Sequence, residues 1–327
     1  MHRYLLPLFL IAPSADLYAS CGAAYCPIDA SSHEAPKGGN VRLDVSFQYI
    51  DQSIPRVGQN RAPLGQVPNP DHDEIATLNR LWTFRADYDL NDRWGFGLTL
   101  PVINRAHDHL DVATGDVDHW GFTGVGDLEA QIRYGLLRKT APEDPSVTLS
   151  ATGKFPTGRT RAHNEFEDAE VTIQPGSGSY DVSGSIAYSQ NLWKARTLQG
   201  EQAWVPVFLS ASYRRNNPGT NHYRIGDSVQ VNAGSAYTAL RKLDLLGQIN
   251  LIVKRKNDAG DTTEDTSFTG GNFLYLSPGF RWHWTPGLSS YAYVQLPVYQ
   301  RVNQEQDTSW YNAMLGLTYQ FGGLPSM

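Results

Sequence analysis

The sequence predicts an all-β fold, a transmembrane antiparallel up-and-down β-barrel of about twelve strands. Three observations predict it. Runs of about ten residues alternate apolar with polar, aromatic residues stand at the ends of the apolar rows, and connections alternate short with long.

The alternation is clearest in Leu128, Ala130, Ile132, Tyr134 and Leu136 on one face, against Asp127, Glu129, Gln131 and Arg133 on the other. Trp94, Phe96, Leu98, Leu100 and Val102 alternate with Gly95, Gly97 and Thr99, and Trp82, Phe84, Ala86, Tyr88 and Leu90 with Thr83, Arg85, Asp87 and Asp89. Strand side chains have period two, so each run has one oily and one wet face. Such runs cover 41–50, 75–90, 94–103, 124–138, 146–156, 179–191, 203–214, 228–239, 242–254, 271–284, 289–300 and 309–321.

A soluble sandwich also alternates, so the surrounding medium is read from the other two observations. Trp82, Tyr88, Trp94, Tyr134, Phe155, Tyr180, Tyr188, Tyr213, Tyr237, Trp282 and Trp284 sit where interfacial girdles fall. Tight joins near Asn91, Arg241 and Pro286 alternate with long polar stretches over 51–73, 104–122, 156–178, 215–227 and 255–270, the pattern of periplasmic turns and outer loops. The last run carries Tyr311, Ala313, Leu315, Leu317, Tyr319 and Phe321 on one face, an aromatic-ended strand of the kind read by barrel insertion machinery.

Bulk properties agree. Among 327 residues, Gly (30), Tyr (17) and Trp (8) are plentiful and Cys (2) is scarce. Mean hydropathy is -0.41, and no internal stretch reaches the ~18 apolar residues of a spanning helix. Barrel strands escape that requirement because only alternate residues face lipid. A net charge of -6 argues against nucleic acid, whose binding needs a basic stripe. His2 and Arg3, the apolar run Tyr4–Ala12 and small residues at Ala19 and Ser20 read as a signal peptide over 1–20. A periplasmic segment over 21–40, the outer-membrane barrel over 41–321 and a tail over 322–327 follow.

From Arg80 to Phe321 a set of ordered motifs carries a family likeness. They are Trp94-Gly95-Phe96-Gly97-Leu98-Thr99-Leu100-Pro101, Gly124-Val125-Gly126-Asp127-Leu128, Lys154-Phe155-Pro156-Thr157-Gly158, and Gly176-Ser177-Gly178 before Tyr180-Asp181. Leu276-Ser277-Pro278-Gly279, Gln295-Leu296-Pro297-Val298 and Gly316-Leu317-Thr318-Tyr319-Gln320-Phe321 complete them. In these the chain resembles the outer-membrane family of the MetA pathway of phenol degradation. The resemblance implies an outer-membrane transporter or channel, related in idea to channels for hydrophobic compounds. Residues 322–327 run on past the terminal aromatic, and 21–40 lie outside the likeness.

Candidate chemistry is sparse. Cys21 and Cys26 are spaced for a small disulfide loop in an oxidising compartment. They also admit a soft-metal site with His33, or lipidation at Cys21. His107, His109, His119 and Asp111, with Asp108, Asp116 and Asp118, could capture a cation at the outer mouth or simply form a wet acidic loop. Asp71, His72, Asp73 and Glu74 add a second group. The wet faces carry Arg85, Asp87, Asp89, Glu129, Arg133, Lys154, Arg214, Lys254 and Arg281, which line a lumen either as selectivity charges or as mutually paired filling. Gly95, Gly97 and Gly126 read as strand bends and close packing. No nucleophile elbow or His-Glu-x-x-His is present, no cofactor is expected, and His283 near Ser277 and Ser309 is the loose basis for a barrel-wall hydrolase. The expected function is passive passage of small solutes, hydrophobic or aromatic ones included, with lipid and the insertion machinery as partners. The alternative is a scaffold that docks a periplasmic redox or metal-handling partner through the Cys segment.

Overall fold

The computed structural model describes residues 28, 34–69, 72–112, 114–164 and 168–322. The signal peptide, Cys21, Cys26, His33, Asp71 and the tail beyond Gly322 lie outside the described residues.

Fourteen strands form one sheet: β1 (Asn40–Val57), β2 (Asn60–Arg61), β3 (His72–Asp89), β4 (Trp94–Asp111), β5 (Val117–Val125), β6 (Leu128–Leu137), β7 (Ser146–Phe155), β8 (Asp181–Arg196), β9 (Gln202–Arg215), β10 (Ser228–Leu240), β11 (Leu243–Lys254), β12 (Gly271–His283), β13 (Leu288–Val302) and β14 (Glu305–Gly322). Every neighbouring pair is antiparallel, and β14 pairs with β1 from Asn40↔Gly322 to Val57↔Glu305, closing the sheet. β2 is a two-residue return on β1. β5 and β6 are two halves of one wall strand, both paired to β4 and broken at Gly126-Asp127. The wall is therefore a closed twelve-strand barrel, an even number that leaves Asn40 and Gly322, the outer ends of the first and last strands, at the short-turn end.

The medium is legible in which face is exposed. Trp82, Phe84 and Tyr88 on β3, Trp94, Phe96 and Leu98 on β4, and Leu315, Leu317, Tyr319 and Phe321 on β14 all stand outward and exposed. The opposite face is polar and buried: Asp44, Ser46 and Gln48 on β1, Gln248 and Asn250 on β11, Ser277 on β12, Gln295 on β13 and Asn312 on β14. A soluble barrel has the reverse, oil inside and water outside. Aromatic pairs mark two rims. Trp94–Tyr134, Trp282–Trp284 and Tyr319–Phe321 lie at the short-turn end, with ring centroids 4.7, 6.2 and 5.3 Å apart. Phe155–Tyr180 and Tyr49–Tyr311 lie toward the loop end, at 6.2 and 6.5 Å.

Two expected loops are shorter than the sequence suggests. Residues 51–57 and 104–111 continue β1 and β4, and 117–122 belong to β5. Above the lipid the outward face has no need of oil. Asn104 there bonds Thr123 (2.8 Å) and accepts from Arg80 (2.9 Å), so the apolar alternation fades although the ladder continues.

Candidate permeation pathway

The interior divides into a charged mouth at the short-turn end, a polar waist and an acidic vestibule at the loop end. At the mouth, Arg133 Nη2 lies 2.9 Å from Asp89 Oδ1 and 3.6 Å from Asp87 Oδ1. Arg85 grips Asp87 at 2.8 Å and donates to Gln131 at 2.7 Å. Gly95 and Gly97 make room for these pairs, since a Cβ on either would come within 2.7 Å of Asp89 or Asp87. The alternate glycines thus serve close packing.

A cavity of about 280 Å³ lies here, lined by Arg42, Asp87, Asp89, Arg133, Arg281 and His283 on the wall and by Glu34, Ala35 and Lys37 from the N-terminal segment. That segment is docked. Lys37 N donates to Asp89 Oδ2 (3.0 Å), Ala35 N to Ser146 Oγ (2.9 Å), and Lys139 Nζ reaches Glu34 (2.7 Å). Ile28 is buried against Tyr291, Tyr293 and Met314 on the inner wall.

At the break between β5 and β6, Asp127 anchors both feet of the loop 156–180. Its carboxylate accepts from Gly158 N (2.9 Å), Ser177 N (3.0 Å) and Ser177 Oγ (2.9 Å). Lys154 Nζ lies 3.0 Å from Asp127 and 2.6 Å from Asp181, and donates to Ser177 and to Ser179 (3.1 Å). All of these side chains are buried. Gly158 and Gly176 cross so closely that a Cβ on Gly176 would sit 2.7 Å from the Gly158 backbone. Beyond the crossing the loop turns inward. Ala169 and Ile173 pack on Trp120 and Phe122 of β5, and Arg105 donates to the Ile173 carbonyl and, at 2.6 Å, to Asn79.

The vestibule holds a smaller cavity of about 50 Å³ lined by Asp73, Glu74, Glu170, Glu264, Asp265, Glu305 and Asp307, with Tyr223 and Phe268. Asp307 is buried on β14, and neither carboxylate oxygen has a hydrogen-bond partner among the described residues. Glu305 accepts from Gly65 N and Val67 N, both at 2.8 Å, and so fastens the stretch 62–69 that follows β2.

All nine residues expected on the wet faces lie on the inward side of their strands. Glu129 pairs with Arg214, Lys254 is buried near the top of β11, and Arg281 lines the mouth. The expected His/Asp loop cluster is dispersed by the strand period. His107 and His109 point inward and are buried, His119 bonds Asp108 on the outer face, and Asp111 Oδ1 caps the hairpin tip through Thr114 N (3.0 Å). The hydrolase constellation does not assemble. His283 bonds Asp244 (2.7 Å) and Ser277 bonds Asn250 (2.6 Å), six positions and about 20 Å apart along one strand. Sequence reasoning missed Asp181, Ser177 and Glu170. The first two sit within the quoted motifs, whereas nothing local distinguishes Glu170.

No protein-family profile matches the chain, and no curated protein does. Among solved structures, the chain is similar to the COG4313 outer membrane channel from Pseudomonas putida F1, at 16% identity and a TM-score of 0.60 over 90% of this chain and 100% of that one. Looser likenesses include the transport unit of the autotransporter AIDA-I from Escherichia coli (10% identity, TM-score 0.47, 90% and 93% covered). Another is the CymD monoaromatic hydrocarbon channel (10%, 0.43, 87% and 89%). At these identities the likeness is one of fold, that of an outer-membrane β-barrel.

Proposed function

We propose that the protein is an outer-membrane channel through which small solutes pass passively. The observation that carries this reading is the inverted barrel: a continuous apolar exterior around a hydrophilic interior that opens into a cavity at each end. Ion pairs and amides along the inner wall offer a permeant replacement hydrogen bonds, while the inward loop 156–180 and the docked segment 34–39 narrow the path. The solute class we favour is a small aromatic bearing a polar group. The inner wall sets Tyr275, Tyr291 and Tyr293 among Gln248, Asn250 and Ser277, so a ring and its hydroxyl or carboxylate both find partners.

The test is liposome swelling with purified protein and a graded series of sugars, amino acids and aromatic carboxylates. Swelling that declines with solute size, and is faster for aromatic carboxylates than for sugars of equal mass, is the expected result. Liposomes that stay sealed to the smallest solutes would overturn the channel reading.

A further inference from the structure

Two histidines on the inner wall stand beside a carboxylate of the inward loop, and the permeation reading makes no use of them. His107 and His109 share one face of β4 because they are two positions apart. Glu170 reaches them from the loop, and one ligand atom from each of the three lies within 4.8 Å of the other two. Each imidazole is oriented from behind. Thr77 Oγ1 holds His107 Nδ1 at 2.8 Å, which makes Nε2 the ligand nitrogen. His109 Nδ1 stands 3.6 Å from Glu170 Oε1, while its Nε2 stands 3.4 Å from Asp118 Oδ2. A carboxylate behind a histidine in this way fixes the tautomer and strengthens the opposite nitrogen as a donor to metal. Trp120 packs on both rings, at 5.8 and 4.4 Å between centroids, and limits their rotation. Glu170 also forms part of the wall of the acidic vestibule, whose field concentrates cations at the site.

We infer that His107, His109 and Glu170 form a binding site for a borderline divalent cation of the zinc type, with a fourth position open to water. Two imidazoles and a carboxylate suit such ions better than calcium or magnesium, which take oxygen shells. Bonds of about 2.0–2.1 Å place tetrahedral ligands about 3.3 Å apart, so the cluster closes by roughly an ångström when loaded. Because Glu170 belongs to the loop and the histidines to the wall, the ion fastens loop to barrel. That latch rests on the channel reading; the binding site does not.

The experiment titrates zinc into tag-free, full-length protein in detergent against a chromophoric chelator. Heat-modifiable migration on gels confirms that each variant is folded. One equivalent of zinc, released by EDTA, is expected, with affinity at least tenfold weaker in His109→Gln and Glu170→Gln. Affinity should be unchanged in His119→Gln and in the Cys21→Ser/Cys26→Ser double variant. Copper(II) bound to the unaltered protein should show hyperfine structure from imidazole nitrogen, a readout that needs no variant to fold. Failure to bind zinc, binding that survives both inner substitutions, or binding lost with His119 or the cysteines overturns the site. In planar bilayers, zinc should lower the conductance of the unaltered protein and leave Glu170→Gln unaffected. Zinc that binds without changing a measurable conductance removes the latch alone. A protein that binds zinc but never conducts removes the channel reading and leaves the site standing.

Discussion

Asp127 shows how much of the interior can depend on one carboxylate. It accepts from two backbone amides of the loop feet and from Ser177, and it faces Lys154, which Asp181 holds from the other side. Removing one partner of a buried ion pair strands the other charge, at a cost of about 3–5 kcal/mol. Asp127→Ala leaves Lys154 to Asp181 alone and should therefore lower the unfolding free energy by at most about 3–5 kcal/mol, and raise conductance, because the loop loses the anchor of both its feet. Urea titration of the folded barrel and bilayer recordings check the two halves of the prediction. A second residue-scale prediction concerns two outer loops. A hydrogen bond donated to the Asp261 carboxylate, aided by that group's charge, raises the pKa of His222 above the ordinary imidazole value. The tether is fully present below the unfolded pKa of about 6.5 and is lost as pH rises through the higher folded value. NMR titration should place His222 above 6.5, and Asp261→Asn should return it to the ordinary value.

At the scale of elements, the strands were legible wherever one face meets lipid and the other water. Trp94, Phe96 and Leu98 announce β4 because hydrocarbon accepts no alternative there. Leu98→Arg on that exposed row should cost about 2–4 kcal/mol in folding into lipid vesicles if it lies near the midplane, measured against a lumen-facing substitution as reference. Legibility failed above the lipid. From Asn104 to Asp111 neither row of β4 is consistently apolar, so period-two patterning carries little hydropathy signal and the extension to Asp111 reads as loop. The inward course of 156–180 was hidden for another reason: its burial depends on Trp120 and Arg105, contacts distant in sequence. Its anchors were nevertheless present as motifs. Gly126-Asp127, Lys154 to Gly158, and Gly176 to Asp181 are strung along the chain and meet in one place.

For the whole molecule, the paired charges explain how an interior so rich in Arg, Lys, Asp and Glu remains compatible with a stable barrel. Arg133 meets Asp89 over β4, Arg214 meets Glu129 over β7 and β8, and Lys154 on β7 meets Asp127 beside β6 and Asp181 on β8, while acidic residues gather at the loop end. The opposite end is narrowed from the short-turn side by residues 34–39 and by Ile28 against the inner tyrosines. Deleting 21–39 should raise single-channel conductance while leaving heat-modifiable migration intact, since the described residues among them, Ile28 and 34–39, belong to no strand. Unchanged conductance would mean that the segment does not obstruct flow. It would also return weight to a docking role for the cysteine region.

The seam between β1 and β14 has a consequence for biogenesis. The first stave to leave the ribosome finds its second neighbour only when the last has been made, so every earlier product carries two raw edges. A polypeptide stopped before Glu305 leaves β1 and β13 both unsatisfied in a medium with no water to offer them. Assembly is accordingly all or nothing, and nonsense mutations even near the 3′ end of the message should yield debris for proteases rather than a leaky pore.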